Sequence, residues 1–218
     1  MTYEQIRQDA AVRTYIKRAD MTLEALGFTE HSFPHVTQVA ARAAYILETL
    51  GYDARTVELA KIAGFLHDIG NVINRVDHSQ SGAVMAFRIL DRMDFDPDEI
   101  SIIISAIGNH DEGTGIPVNE VAAALIIADK SDVRRSRVRN PEDVRVDIHD
   151  RVNYSANKSE LTVDADNKTL LLSLEVDTAI SSPMEYMEIF MKRMLMCRQA
   201  SKKLGLGFHL QINGQNLV

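Results

Sequence analysis

The chain of 218 residues carries a single cysteine, Cys197. One thiol can build neither a disulfide framework nor a thiolate zinc site within a chain, so any metal must be held by histidine and carboxylate. Long apolar runs are missing too, none approaching the roughly 20 residues that span a bilayer. The polar start Met1-Thr2-Tyr3-Glu4-Gln5 has no secretory apolar core. A cytoplasmic, soluble protein without a membrane partner is the expectation. Positive charge is scarce: 24 Lys and Arg face 31 Asp and Glu, for a net charge of -7. That balance argues against an extended nucleic-acid surface and leaves small anionic ligands open. There is no internal repeat and no low-complexity segment.

What the chain does have, up to about Asn140, is one amphipathic helical pattern after another. The first covers Tyr3 to about Leu26 and closes at Gly27. The second starts at Ser32, as N-cap, and Pro34, buries Val36, Val39, Ala40, Ala43 and Leu47, and closes at Gly51. A third starts behind Asp53 and ends at Gly70, with His67 and Asp68 in its last turn. A fourth spans about His78 to Met93, a fifth opens at Asp96-Pro97 and ends at Asn109-His110, and a sixth runs from near Asn119 to the basic stretch before Pro141. After Pro141 the period turns to alternation. Three strands are expected over 148–155, 160–164 and 169–176, with turns at Asn157-Lys158 and Asp166-Asn167. A helix from Pro183 to about Leu204 and a strand from Phe208 to Ile212 follow. The expected fold class is α+β: a helical domain over 1–145, then a lobe over 146–218 with a small antiparallel sheet and one long helix.

The densest chemistry is in Gly64-Phe65-Leu66-His67-Asp68-Ile69-Gly70-Asn71. Two ionisable neighbours at the end of an apolar helix need pairing, hydrogen bonding or a metal, because burying them otherwise costs several kcal/mol. His35, His78, His110 and Asp129 also lie at the edges of apolar runs, and these donor types suit borderline divalent metals. Asp68 can give one oxygen to each of two ions while His67 gives one nitrogen. The plain alternative for the doublet is a core histidine tied to a cap.

These residues resemble the HD-domain metal-dependent phosphohydrolases, whose signature is an early His, an adjacent His-Asp and a late Asp. His35 is similar to the first, His67-Asp68 to the second and Asp129, within Ile127-Ala128-Asp129-Lys130, to the third. The resemblance covers about residues 30 to 135. His78-Ser79-Gln80-Ser81-Gly82-Ala83 is similar to an element of the two-metal branch, which includes the HD-GYP type, and the stretch from Asn109 to Pro117 resembles a shortened form of another. Asp111 stands where that branch has a second histidine, Ile116 where it has tyrosine and Asn71 where it has lysine.

The resemblance implies a helical HD domain of about six helices and two divalent transition ions, from manganese, iron, cobalt, nickel or zinc. The ligands would be His35, His67, Asp68 and Asp129, with Asp68 bridging to His78, His110 and Asp111. It further implies a metal-held hydroxide attacking a small phosphomonoester or nucleotide, with Asp68 and Lys130 in the catalytic set. Lys130, Arg134 and Arg137, at i, i+4 and i+7 on one helix, are the expected phosphate clamp. The plain reading of that basic run is a solvated face at a helix C-terminus. A di-iron oxygenase of the same superfamily and a nucleotide-binding regulatory module are the alternative functions. Met184, Met187, Met191 and Met194 form a thioether stripe suited to a core or to a homodimer seam, and Cys197 reads as a buried small residue. His31 is placed outside the ligand set, and His149 and His209 on strand surfaces or edges.

Overall fold

Asp9 interrupts what its sequence suggests is one helix. Its carboxylate accepts from the backbone N–H groups of Ala11 and Val12, both at 2.9 Å, in an extended backbone conformation. The chain therefore starts with two helices, α1 (Tyr3–Gln8) and α2 (Ala10–Ala25). The computed structural model describes residues 1–140, 142, 144 and 147–217. The expected break at Pro141 and the expected lobe boundary between 145 and 146 lie outside the described residues.

Helices α3 (Phe33–Thr49), α4 (Ala54–Leu66), α5 (His78–Arg92), α6 (Pro97–Gly108) and α7 (Glu120–Lys130) follow as their periodicity and caps predict. Asp53, Asp96 and Asn119 cap α4, α6 and α7 with their side chains. Ser32 holds the N-cap position of α3, but its hydroxyl donates to Glu30 Oε1 at 2.6 Å and makes no cap. Helix α7 is the axis of the fold: every residue from Val121 to Ala128 is fully buried. A helix apolar on all sides belongs inside, and α3, α4, α6 and α9 (Pro183–Lys203) pack around it.

Two glycines set close approaches. A Cβ on Gly64 would stand 2.8 Å from Ala40 Cα, so α3 and α4 cross nearly backbone to backbone. A Cβ on Gly70 would meet the carbonyl oxygen of His78 and the nitrogen of Gly82, so the turn after α4 lies directly on the start of α5. Together they bring the end of α4 against the middle of α3 and the start of α5.

The C-terminal part departs from its sequence pattern in two ways. Residues 148–155 form a helix, α8 (Ile148–Ser155), where a strand was expected. Asp147 accepts from His149 N–H at 2.6 Å and Asp150 N–H at 3.3 Å, and this local cap prevails; Ile148 and Val152 satisfy a helical i, i+4 spacing as well as alternation. The chain then enters β1 (Ala156–Asp164) with no turn at Asn157-Lys158, which instead carry a bulge. The second departure concerns the sheet. It has the order β1, β2 (Thr169–Val176), β3 (Gly207–Ile212) and β4 (Gln215–Asn216), and it is mixed. β1–β2 and β3–β4 are antiparallel, while β2 and β3 run parallel because α9 (Pro183–Lys203) forms the crossover that a parallel pair requires. Leu170, Leu172, Leu174 and Val176 share one buried face of β2 as their alternation predicts.

One cluster of buried apolar side chains extends from α3–α7 through the sheet to α9, and the fold is α+β. The methionine stripe is divided: Met194 is buried in this core and Met187 packs partly on it, whereas Met184 and Met191 are exposed. Cys197 is fully buried, and desolvation pushes its thiol up to about 12, so it is an inert core residue. No described helix is long and apolar enough to cross a membrane.

Candidate metal centre

Helix ends supply every side chain of the cluster. His35 is in the first turn of α3, His67 and Asp68 follow the last residue of α4, and His78 opens α5. His110 lies just beyond α6, and Asp129 is the penultimate residue of α7. His35, His67, Asp68, His78 and His110 are buried, and the side chain of Asp129 is 13 % exposed.

Each histidine spends its Nδ1 on an acceptor. His67 Nδ1 is 2.8 Å from the Gly64 carbonyl, His78 Nδ1 3.0 Å from that of Arg75, and His110 Nδ1 2.7 Å from that of Ile107. His35 Nδ1 is 2.7 Å from Asp132 Oδ2. A proton on Nδ1 leaves the Nε2 lone pair of a neutral imidazole as the free donor. Yet Nε2 of His35 and His67 lie 3.3 Å apart, and those of His78 and His110 3.2 Å apart. Lone pairs held that close repel unless a cation lies between them.

The oxygens complete two clusters. Asp68 Oδ2 is 3.6 Å from His35 Nε2 and 3.2 Å from His67 Nε2, and Asp129 Oδ1 is 3.5 and 3.8 Å from the same two nitrogens. Donors about 2.1 Å from a tetrahedral ion stand about 3.4 Å from one another, so His35, His67 and Asp129 can share one divalent transition ion, with Asp68 Oδ2 beside the two nitrogens. Asp68 turns its other oxygen the opposite way: Oδ1 is 3.5 Å from His78 Nε2 and 3.9 Å from His110 Nε2. Asn71 fixes that orientation by donating to Oδ1 and to the Asp68 carbonyl, both at 2.9 Å. Asp111, 30 % exposed, reaches to 4.0 Å of His78 Nε2. Arg75 Nη1 is 3.2 Å from that same nitrogen, so a cation already stands beside this second cluster. His67 also lies within ligand reach of Asp68 and His110, so the clusters meet through His67 as well as through Asp68.

The charges suit the arrangement. Burial pushes the carboxyls of Asp68 and Asp129 up but is outweighed, for Asp68 by His67 and His35 and for Asp129 by Lys130 and His35. Both lie well below the usual carboxylate range. Burial holds His78 and His110 below the ordinary imidazole value, in the neutral form that a ligand needs. For His35, burial and Arg137 oppose protonation, but hydrogen bonds to Asp129, Asp132 and Asp68 prevail and raise it to about 10. A proton there does the work of a cation among the carboxylates.

The helical stripe expected of the phosphate clamp is corrected. Helix α7 ends at Lys130, so Arg134 and Arg137 share no helical stripe with it. Arg134 pairs with Glu30 at 2.9 Å and Asp132 at 3.0 Å and faces a separate groove beside Phe33 and Pro34. Arg137 is buried, giving Nε to the Glu30 carbonyl and Nη1 to that of Asp132, both at 2.9 Å. Lys130 is buried with Nζ 2.7 Å from Asp129 Oδ2 and 3.2 Å from Glu112 Oε1. His31, with its ring 5.3 Å from that of His35, stands at the rim, and His149 and His209 are exposed, His149 on a helix rather than a strand.

Asp132, Glu112, Arg75 and Arg193 join the site without having been expected. Asp132 follows Asp129 by three residues, and that spacing was its one visible signal; His35, its partner, is 97 residues away. Asp68, His78, His110, Asp129 and Lys130 line a floor of about 10 Å³, the room of one water or small ion. That floor shares His31, Arg75, Arg137 and Arg193 with a chamber of about 430 Å³ walled by Phe28 and Phe190.

A family model described as HD domain matches residues 33–154. The chain is 26 % identical over 164 residues to an uncharacterised protein of Methanocaldococcus jannaschii, an alignment that takes in 65 % of this chain and 62 % of that one. It thus spans less than two thirds of the length of that relative. A crystal structure of a predicted HD superfamily hydrolase from an uncultured Thermotogales bacterium is 26 % identical, over 57 % of this chain and 67 % of that one, with a TM-score of 0.44.

Proposed function

The chain belongs to the HD-domain family, and on that premise we propose that it is a metal-dependent phosphohydrolase acting on a small phosphomonoester or nucleotide. The observation that carries the reading is the pair of Nε2–Nε2 approaches, at 3.3 and 3.2 Å, with one oxygen of Asp68 turned to each. His35, His67, Asp68 and Asp129 would hold one ion. Asp68, His78 and His110, with Asp111 in reach, would hold a second, as in the two-metal branch.

Divalent ions bound there supply a water of lowered pKa and positive charge to offset phosphate oxygens. The chain's own groups do the rest. Asp132 fixes the ring of His35, and Asn71 fixes Asp68 between the clusters. Lys130 keeps Asp129 ionised and aimed at the floor. Arg75 and Arg193 face the passage between floor and chamber, where an anionic group enters. Phe28 presents an apolar wall to the organic part of a substrate.

The test begins with elemental analysis of protein prepared without chelators or a metal-affinity step, wild type beside His67→Ala. Near two ions per wild-type chain and a clear loss in the variant are expected, followed by turnover of phosphate esters at equal rates in air and under argon. Turnover that stops without oxygen would move the site to oxygenase chemistry. Metal-dependent nucleotide binding with no product over hours would make it a regulatory module.

A further inference from the structure

We infer that the C-terminal lobe completes the substrate site, and that Arg193 on α9 is the residue through which it grips the phosphate of the substrate; this rests on the phosphohydrolase reading above. Helix α9 lies wholly beyond residues 33–154, yet it packs along α7, which carries Asp129 at its end. Arg193 is the residue of α9 that lines both the ligand floor and the outer chamber.

Its guanidinium is fixed on two sides. The Phe190 ring, 1 % exposed, lies beneath it with 4.7 Å from Cζ to the centroid. Its Nε stands 2.7 Å from Glu112 Oε1, the same oxygen that Lys130 approaches at 3.2 Å. That oxygen is buried and no donor meets it at a hydrogen-bonding angle, so the contact is one of charge, an anchor at the edge of the fork. No other carboxylate among the described residues pairs with Arg193. Among the described residues no hydrogen bond holds its two terminal nitrogens, and a planar guanidinium engages two phosphate oxygens at once.

The neighbouring cations are more committed. Arg137 is tied to two backbone carbonyls, Lys130 lies between two carboxylates, and Arg75 leans on Asn71 and His78. The matching ligand is a phosphate ester whose phosphoryl group lies over the floor beneath Arg193 and whose organic group fills the chamber beside Phe28.

The experiment is calorimetric titration of the full, manganese-loaded protein with inorganic phosphate, for wild type, Arg193→Gln and Arg193→Lys. Metal content is measured on each sample, and KM and kcat are taken with a chromogenic phosphate monoester. Equal metal content in all three is expected, with phosphate binding at least about tenfold weaker in Arg193→Gln and partly restored in Arg193→Lys, and a rise in KM that exceeds the fall in kcat. Should Arg193→Gln not fold, Arg193→Lys decides, since it keeps the charge and loses the fork. Unchanged phosphate affinity in a metal-replete variant overturns the role of Arg193 and leaves the phosphohydrolase reading intact. Loss of metal from the variants makes Arg193 a support of the metal centre and also overturns the inference. A wild type that neither binds phosphate nor cleaves an ester removes both readings.

Discussion

His35 shows how one residue can be poised for a metal before the metal arrives. Its Nδ1 meets Asp132, its Nε2 faces two carboxylates and a second imidazole, and it is raised to about 10. An ion taking that Nε2 must expel the proton, so apparent metal affinity should rise about tenfold per pH unit between pH 6 and 9. Competition with a chelator across that range measures it, and a flat profile would contradict the assignment of His35 as a ligand. The same proton bears on stability. A folded value above the unfolded one stabilises the metal-free protein fully below about pH 6.5, and that contribution is lost as pH rises through about 10. His67, Asp68 and Asp129 were legible from the sequence because each ionisable group sits in an apolar run. Asp132, Glu112 and Arg193 were not, since their meaning lies in partners 97, 18 and 81 residues away.

Among the elements, helix ends matter more than helix faces. Periodicity and capping residues made α3 to α7 readable, and the same physics explains two misses. Asp9 caps a helix inside a continuous apolar pattern, and Asp147 caps one where alternation suggested a strand. The parallel pairing of β2 with β3 was hidden for a different reason: a strand's sequence does not encode its neighbour's direction, which α9 sets by carrying the chain across the sheet. The turn at Gly70 makes a sharp claim. Ala there must push the start of α5 off the end of α4, and it should cost about 1–3 kcal/mol or more. It should also displace His78 from Asp68, so the second ion of the pair should be lost before the first. Denaturant unfolding and stepwise metal titration of Gly70→Ala would show both effects, and a variant with wild-type stability and two ions would refute the argument.

For the molecule as a whole, ions bound at this centre would be fasteners. The candidate ligands come from the ends of α3, α4, α5, α6 and α7, so binding would join five helices at one point. An ion present at about 100 times its dissociation constant adds about 2.7 kcal/mol to the folded state. Dialysis against a chelator should therefore lower the thermal midpoint by several degrees and leave the far-ultraviolet helical signal nearly intact at 20 °C. An unchanged midpoint after complete metal removal would mean that no ion is part of the folded state. The overall charge of -7 gave no hint of this centre, because its carboxylates Asp68, Asp129, Asp132 and Glu112 are answered locally by Lys130, Arg75, Arg137 and Arg193. Local balance of that kind is invisible in a total.

Three of the four histidines take their orientation from main-chain carbonyls, those of Gly64, Arg75 and Ile107, each three residues back along the chain. No side-chain substitution removes a carbonyl, so these three rings keep their acceptor through any change that leaves the local backbone in place. His35 alone depends on a side chain for its aim. In a mutational census of the protein, intolerance outside the ligands themselves should gather at Asp132, which aims His35, and at Asn71 and Lys130, which aim the two carboxylates.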